Sequence, residues 1–225
     1  MNSANLWAIW ITIQLAAFTT IILFLVGAPL AWWLARTKSR GKAVVEALTT
    51  LPLVLPPTVL GFYFLLFFNP HAPLGSFFVW VTGEALTFTF HGLVLASVIY
   101  SMPFMIQPLK VAFEQLDHEL LETAKVLGAN TWTTILKVIL PSSIRGVITA
   151  LVLTFAHTVG EFGVVLMIGG SIHRETRVVS IAIYEHVETL NYADAHWLAG
   201  GLLVFSFATL VFVYSWNRRT RIGVS

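Results

Sequence analysis

The sequence predicts an all-α integral membrane protein with five transmembrane helices, a cytoplasmic helix after the third, and a short outer or re-entrant helix before the fifth. Of the 225 residues, 57% are hydrophobic and only 11% are charged. Soluble domains carry about 25% charged residues, so this chain has too little charge to cover a water-facing surface. Five apolar segments also reach the roughly 20 residues that a bilayer crossing needs.

The apolar segments are separated by polar loops and lie at about 6–35, 44–68, 88–109, 144–168 and 197–216. Pro52, Pro56 and Pro57 interrupt the second segment. A membrane helix tolerates such a break where neighbouring groups satisfy the freed carbonyls or where the backbone lines a cavity. A further segment at 178–190 is apolar enough for a helix but too short and too charged to span. It is therefore predicted to be the outer or re-entrant helix.

The basic residues predict the orientation of the chain in the membrane. With five crossings, eleven of the thirteen basic residues fall on one side: Arg36, Lys38, Arg40, Lys42, Lys110, Lys125, Lys137, Arg145, Arg218, Arg219 and Arg221. Only Arg174 and Arg177 fall on the other side. Because cytoplasmic loops carry the excess of lysine and arginine, the N-terminus is predicted outside and the C-terminus in the cytoplasm of a multi-pass protein.

The longest polar loop, at about 110–143, predicts a cytoplasmic helix–turn–helix. Asp117 is a candidate N-cap, and Gly128 is a candidate stop signal. A second helical run begins at Trp132, and Pro141 marks the return to the membrane. An apolar stripe at helical spacing consists of Leu120, Leu121, Ala124 and Leu127. A membrane protein that keeps such a segment in water uses it either as an ordinary solvated loop or as a contact for a soluble partner.

The spacing of this loop, Glu122-x-Ala124-x-x-x-Gly128 followed by Leu140-Pro141, resembles the EAA loop of ABC importer permeases. The resemblance implies a coupling helix that docks on a cytoplasmic ATPase. The implied coupling residues are Glu122, Thr123, Ala124, Gly128, Ala129, Trp132, Leu140 and Pro141. Thr123 departs from the family pattern, since alanine is usual there, but the side chain remains small.

His157 and Glu161 are ionisable residues at predicted membrane depth, where such groups are functional candidates. Their spacing predicts that they share one helix face. Glu161 either bonds to His157, Thr158 or a neighbouring helix and holds the bundle together, or it lines or positions the pathway. The candidate pathway or gate residues are Pro56, Pro57, Thr58, His157, Glu161, Phe162 and Gly163. We predict no metal site and no catalytic residue.

The whole chain, over residues 6–217, resembles the molybdate permease branch of the ABC importers, close to sulfate and tungstate permeases. Stretches that carry the resemblance include Pro56-Pro57-Thr58 and Gly160-Glu161-Phe162-Gly163. The family implies a type I importer fold with a single permease domain at 1–225 in the bacterial cytoplasmic membrane. It also implies a homodimer, ATPase subunits on the cytoplasmic side, and a periplasmic or extracellular oxyanion-binding protein.

The chain has no Gly-x-x-x-x-Gly-Lys-Ser/Thr motif, so no cofactor is expected on it, and ATP and magnesium are expected on the partner ATPase. No basic patch indicates nucleic-acid binding. A sulfate or tungstate permease remains an alternative, as does an ATP-independent channel or scaffold. An intramembrane enzyme using His157 and Glu161 is a further alternative, although no catalytic spacing supports it.

Overall fold

A computed structural model describes residues 3–218 of the chain, and of residue 218 the backbone alone. Within these residues the regular structure is helical. The helices are α1 Ser3–Arg36, α2 Lys42–Val54, α3 Pro57–Phe68, α4 Pro73–Thr82, α5 Phe90–Tyr100, α6 Met102–Glu114, α7 His118–Val126, α8 Thr131–Thr134, α9 Leu140–Gly160, α10 Gly163–Gly169, α11 Val179–Glu188 and α12 Tyr192–Arg218. A π-helical turn at Ile135–Ile139 joins α8 to α9. Arg219 and Arg221, which are predicted to lie in the cytoplasm, are outside the described residues.

Three described helical stretches are long and apolar enough to cross a membrane: Ser3–Arg36, Thr131–Gly160 and Tyr192–Asn217. Two bent pairs, α2 with α3 and α5 with α6, are each long and apolar enough to cross a membrane when the two helices are taken together. The described residues therefore offer up to five crossings, in agreement with the predicted all-helical membrane fold.

The second predicted span is two helices that meet at an angle of 113° rather than one kinked helix. Pro56 has an extended ψ of 137° and Pro57 begins α3. Proline lacks an N–H and disfavours the α conformation in the residue before it, so two consecutive prolines end one helix and start the next.

The two ends of α1 mark the two ends of the bundle. At one end, Arg36 Nη2 donates to the carbonyl of Leu116 at 3.4 Å. At the other end, Arg177 Nη1 donates to the carbonyl of Ala4 at 3.3 Å. The predicted cytoplasmic loop therefore lies at the C-terminal end of α1. The predicted short helix is α11, and it lies at the N-terminal end.

The prediction of a fourth span at 144–168 was wrong in its second half. The helix runs without a break in helicity from Thr131 through Pro141 to Gly160, and Gly163–Gly169 is a separate helix. Glu161 has an extended backbone, with φ −66° and ψ 133°. Since Glu161 is not helical, the expectation that it shares a helix face with His157 was also wrong.

The core of the bundle surrounds α1, which packs against α6 and α9. Leu23, Leu34 and Met105 are almost fully buried in this contact. A second cluster joins α3, α5 and α10 to the first half of α1. In contrast, α12 is peripheral, because only 11% of its most apolar stretch is buried. Packing against α1 and α6 therefore holds α9 in the bundle, and packing against α3 and α5 holds α10.

Candidate coupling surface and polar helix break

The segment 117–141, called the coupling segment below, has a defined local structure. Asp117 accepts a hydrogen bond from the backbone N–H of Glu119 at 2.9 Å and caps α7. At the other end, Gly128 N donates to Lys125 O and Ala129 N donates to Ala124 O, both at 3.0 Å. Gly128 has a φ of 74°. These two bonds and a left-handed glycine form a Schellman motif, so the predicted cap and stop are confirmed.

The second half of the coupling segment continues directly into the membrane-spanning helix. Asn130 accepts from the backbone N–H of Thr133 at 2.8 Å and caps α8. The π-helical turn then carries the chain into α9 without a break. The start of α8 and the end of α9 therefore belong to one continuous helical stretch of 30 residues, Thr131–Gly160.

Large apolar side chains of the coupling segment are exposed. Val126 is 86% exposed, Leu127 is 80% exposed and Trp132 is 72% exposed. Neighbouring exposed apolar side chains in a polar segment make this segment a candidate contact surface.

The structure divides the predicted coupling residues into two groups. Glu122, Thr123, Ala124, Gly128 and Ala129 lie together on α7 and its C-terminal turn, close to Trp132 at the start of α8. All are exposed except Ala129, which is half-buried, and Ala124, which is 6% exposed and packs inward. Leu140 and Pro141 lie further along, where α9 begins.

The second candidate site is the break between α9 and α10, where Glu161 is 3% exposed. Ser97 of α5 donates to its Oε2 at 2.8 Å. Ser180 of α11 donates to its backbone carbonyl at 2.5 Å. The other carboxylate oxygen, Oε1, is buried and has no hydrogen-bond partner among the described residues. Glu161 therefore joins three helices at one point.

His157 lies one turn before this break and contacts different residues. Ser101, at the 42° bend between α5 and α6, lies with its Oγ 2.9 Å from His157 Nδ1 and 3.0 Å from Thr158 Oγ1. The imidazole stacks on Phe104, with ring centroids 3.9 Å apart. No hydrogen bond or ion pair joins the side chains of His157 and Glu161, and each instead bonds to its own serine on the neighbouring bent pair.

Pro57 and Gly163 bring α3 and α10 into close contact. A Cβ added to Gly163 would lie 2.7 Å from Pro57 Cβ, so the approach requires glycine. Pro56 and Thr58, on either side of Pro57, are exposed. Phe162 is half-buried, and its ring centroid lies 5.2 Å from that of Tyr184 on α11. Of the predicted pathway residues, Pro57 and Gly163 are thus in contact and Phe162 packs against α11, whereas His157 packs at the bend between α5 and α6.

Sequence reasoning missed the serines that bind these groups. Ser97 and Ser101 are four residues apart in an otherwise apolar stretch, and this spacing was a usable signal for a polar helix face. Ser180 offered no such signal. A further polar contact, from Gln107 Nε2 to Thr50 Oγ1 at 2.9 Å, joins α6 to α2 and was also missed.

Comparison with known proteins agrees with this architecture. Residues 27–220 match the family described as the inner membrane component of binding-protein-dependent transport systems. The chain belongs to this family. Within it, the permease is 52% identical to the molybdenum transport system permease protein ModB of Azotobacter vinelandii, over 100% of this chain and 99% of that one. It thus belongs to the molybdenum permease branch.

Similarity extends in sequence to a sulfate permease and in fold to an alginate transporter. A probable sulfate transport system permease protein of Chlorella vulgaris is 30% identical over 90% of this chain and 76% of that chain. A bacterial alginate ABC transporter, crystallised with an alginate pentasaccharide-bound periplasmic protein, has a chain that matches with a TM-score of 0.71 at 20% identity. That match covers 98% of this chain and 80% of that chain.

Proposed function

We propose that this permease is the transmembrane subunit of an ATP-driven importer that moves molybdate into the cell. The observation that carries the proposal is the 52% identity to a molybdenum transport permease over essentially the full length of both chains. The exposed apolar coupling segment supports it, because a transport subunit without nucleotide chemistry of its own needs a contact for a separate ATPase.

In the proposed assembly, α7 and α8 dock on a cytoplasmic ATPase subunit. Val126, Leu127 and Trp132 supply the apolar centre of the contact. Glu122 supplies a charge at its edge, since its side chain is 64% exposed. Movement of the docked segment would be transmitted through the π-helical turn into α9 and toward the break at Glu161.

The pathway is proposed to lie between two copies of this chain, with the N-terminus outside and the C-terminus in the cytoplasm. A binding protein on the outer side delivers the anion to the end of the bundle that carries the α10–α11 loop. ATP and the loaded binding protein favour the outward-open state, and each shifts the equilibrium only by its difference in affinity for the two states. ATP and magnesium are proposed to bind the partner ATPase only.

The test is uptake of labelled molybdate by cells that lack their own molybdate permease and express this chain with its ATPase and binding protein. Uptake should require this chain and a functional ATPase. A matched control carries an ATPase variant that binds but does not hydrolyse ATP. Uptake that continues in this control would support an ATP-independent channel instead.

Sulfate is the second candidate substrate, because a probable sulfate permease is among the relatives. The same uptake assay separates the two when sulfate or tungstate is added in excess. Molybdate uptake that persists with excess sulfate supports the proposal. Uptake abolished by sulfate assigns the chain to a broader oxyanion system.

A further inference from the structure

A groove of about 720 Å³ lies between the C-terminal end of α1 and the coupling segment. Its walls are mainly apolar and come from α1, the end of α6, α7, α8 and the π-helical turn. The apolar side chains that matter here are Ala28, Trp32, Phe113, Leu121, Ile135 and Ile139. Such a groove accommodates a hydrocarbon chain rather than a hydrated ion.

Arg36 lies at the polar end of this groove, and its hydrogen-bonding capacity is only partly used. Its Nη2 donates to Leu116 O at the long distance of 3.4 Å. Its Nε is buried and has no acceptor in the part of the chain that the structure describes. The guanidinium carbon lies 5.1 Å from the centroid of the Trp32 ring. A guanidinium offers five N–H donors, so Arg36 can still bind an oxyanion through two of them.

The charged groups that line the groove favour an anion. Arg36 and Lys125 carry permanent positive charges, and Glu122 carries the opposing negative charge. The Oε1 atom of Glu122 lies 3.2 Å from Nδ1 of His118, which also lines the groove. The groove is thus lined by two permanent positive charges and one negative charge, so its net charge is positive.

The groove also matches the depth profile of a lipid. Arg36 is the last residue of α1, and a helix of 34 residues is long enough to carry its last residue out of the hydrocarbon region. Ala28 precedes it by about two helical turns, which is roughly 12 Å along the axis toward the membrane interior. The cationic end is at headgroup level and the apolar walls extend toward the acyl chains.

The apolar centre of the surface proposed for the ATPase lies outside the groove. Val126, Leu127 and Trp132 do not line it. The residues of α7 that line the groove are His118, Leu121, Glu122 and Lys125, so Glu122 lies at the border between the groove and the proposed ATPase contact. An ATPase docked on the exposed apolar residues leaves the groove available to another ligand.

We propose that this groove binds an anionic phospholipid, with its phosphate on Arg36 and an acyl chain along Ala28 and Trp32. Basic pockets between transmembrane helices on the cytoplasmic side suit such headgroups. The bound lipid fills the space between α1 and the coupling segment and holds the two together. The inference rests on the proposed function only in placing Arg36 at the cytoplasmic face.

Native mass spectrometry of the complete transporter, extracted from membranes that contain phosphatidylglycerol and phosphatidylcholine, tests the proposal. We expect phosphatidylglycerol to be retained by the unaltered protein and by the control Arg40→Gln, which removes an exposed charge of the neighbouring loop. Arg36→Gln should weaken retention by at least about tenfold, because a charge-assisted hydrogen bond is lost. Equal loss in both variants, or equal retention of phosphatidylcholine, overturns the proposal.

A second variant keeps the test decisive if Arg36→Gln does not fold. Ala28→Leu narrows the apolar part of the groove and leaves every charge in place, so it should also reduce lipid retention. Unchanged retention in Ala28→Leu contradicts the placement of the acyl chain. Retention by the isolated permease that is lost when the ATPase binds would show that the ATPase occupies the groove. Lipid retention is measured without transport, so its failure leaves the proposed function untouched.

Discussion

At the residue scale, Glu161 is the candidate residue that links the helix break to the neighbouring helices. Its carboxylate accepts from Ser97 and its carbonyl accepts from Ser180, so one residue connects the end of α9 to α5 and α11. Ionisable groups at membrane depth are costly, and they persist where they organise function. We interpret Glu161 as the residue that holds the helix break in place.

Replacing Glu161 tests this role. Glu161→Ala leaves the Ser97 hydroxyl without its acceptor and opens a cavity, so stability should fall by about 1–3 kcal/mol. Glu161→Gln retains an acceptor oxygen and should lose much less. Thermal unfolding of the purified protein in detergent measures both. Glu84→Ala, at an exposed carboxylate, is the control and should change little. Equal destabilisation by the alanine and glutamine variants would contradict this role.

Two neighbouring glycines provide a matched pair at the same scale. A Cβ on Gly163 would lie 2.7 Å from Pro57, whereas a Cβ on Gly160 meets nothing within 4 Å. Gly163→Ala should therefore destabilise the protein by about 1–3 kcal/mol through overpacking and should lower uptake. Gly160→Ala should be tolerated. Thermal unfolding together with molybdate uptake compares the two, and equal effects would mean that the contact between α3 and α10 is unimportant.

At the element scale, the coupling segment is built mainly by local hydrogen bonds, with its turn fixed by Gly128. The turn sets the angle between α7 and α8, and therefore the shape of the contact surface proposed for the ATPase. Because the same helix continues into α9, a change in this shape is expected to affect transport more than folding.

Gly128→Val should weaken docking of the proposed ATPase and thereby reduce transport. A β-branched residue at this positive φ costs about 1–2 kcal/mol, which is enough to open the turn and to weaken docking by roughly tenfold. Uptake and permease-dependent ATPase activity should both fall while the amount of protein in the membrane is unchanged. Gly83→Val is a matched control, since Gly83 also has a positive φ, 79°, and open space around it. Normal uptake in Gly128→Val would argue against docking through this turn.

At the scale of the whole molecule, the ends of α1 separate two groups of loops. The loop 37–41 and the coupling segment lie at one end, and the α10–α11 loop lies at the other. The proposed orientation places the first group in the cytoplasm and the second outside. This arrangement brings the ATPase contact and the binding-protein contact to opposite faces.

Single cysteines test this orientation without background, because the chain contains no cysteine. We expect Glu84→Cys and His173→Cys to react with a membrane-impermeant thiol reagent added outside intact cells. Ser39→Cys should react only after the membrane is permeabilised. All three positions are exposed, so the comparison reports sidedness rather than burial. The reverse pattern would invert the proposed topology.

The sequence by itself determined the membrane class, the approximate spans and the coupling segment. These features depend on local composition and on hydrogen bonds between residues close in sequence, such as the Asp117 cap and the Gly128 turn. The proline pair at Pro56 and Pro57 also predicts a break in the helix. It does not predict the angle of the break, because that angle depends on the residues against which α2 and α3 pack.

Only the tertiary structure decided how the parts meet. Glu161 lies outside the helix and accepts a hydrogen bond from Ser97, which is 64 residues away in sequence. Local sequence patterns do not predict a pairing between residues so far apart. The contact between Gly163 and Pro57 and the groove at Arg36 arise in the same way, from helices that are distant in the chain. Helical periodicity shows which side chains share a face, whereas packing selects which face of another helix they meet.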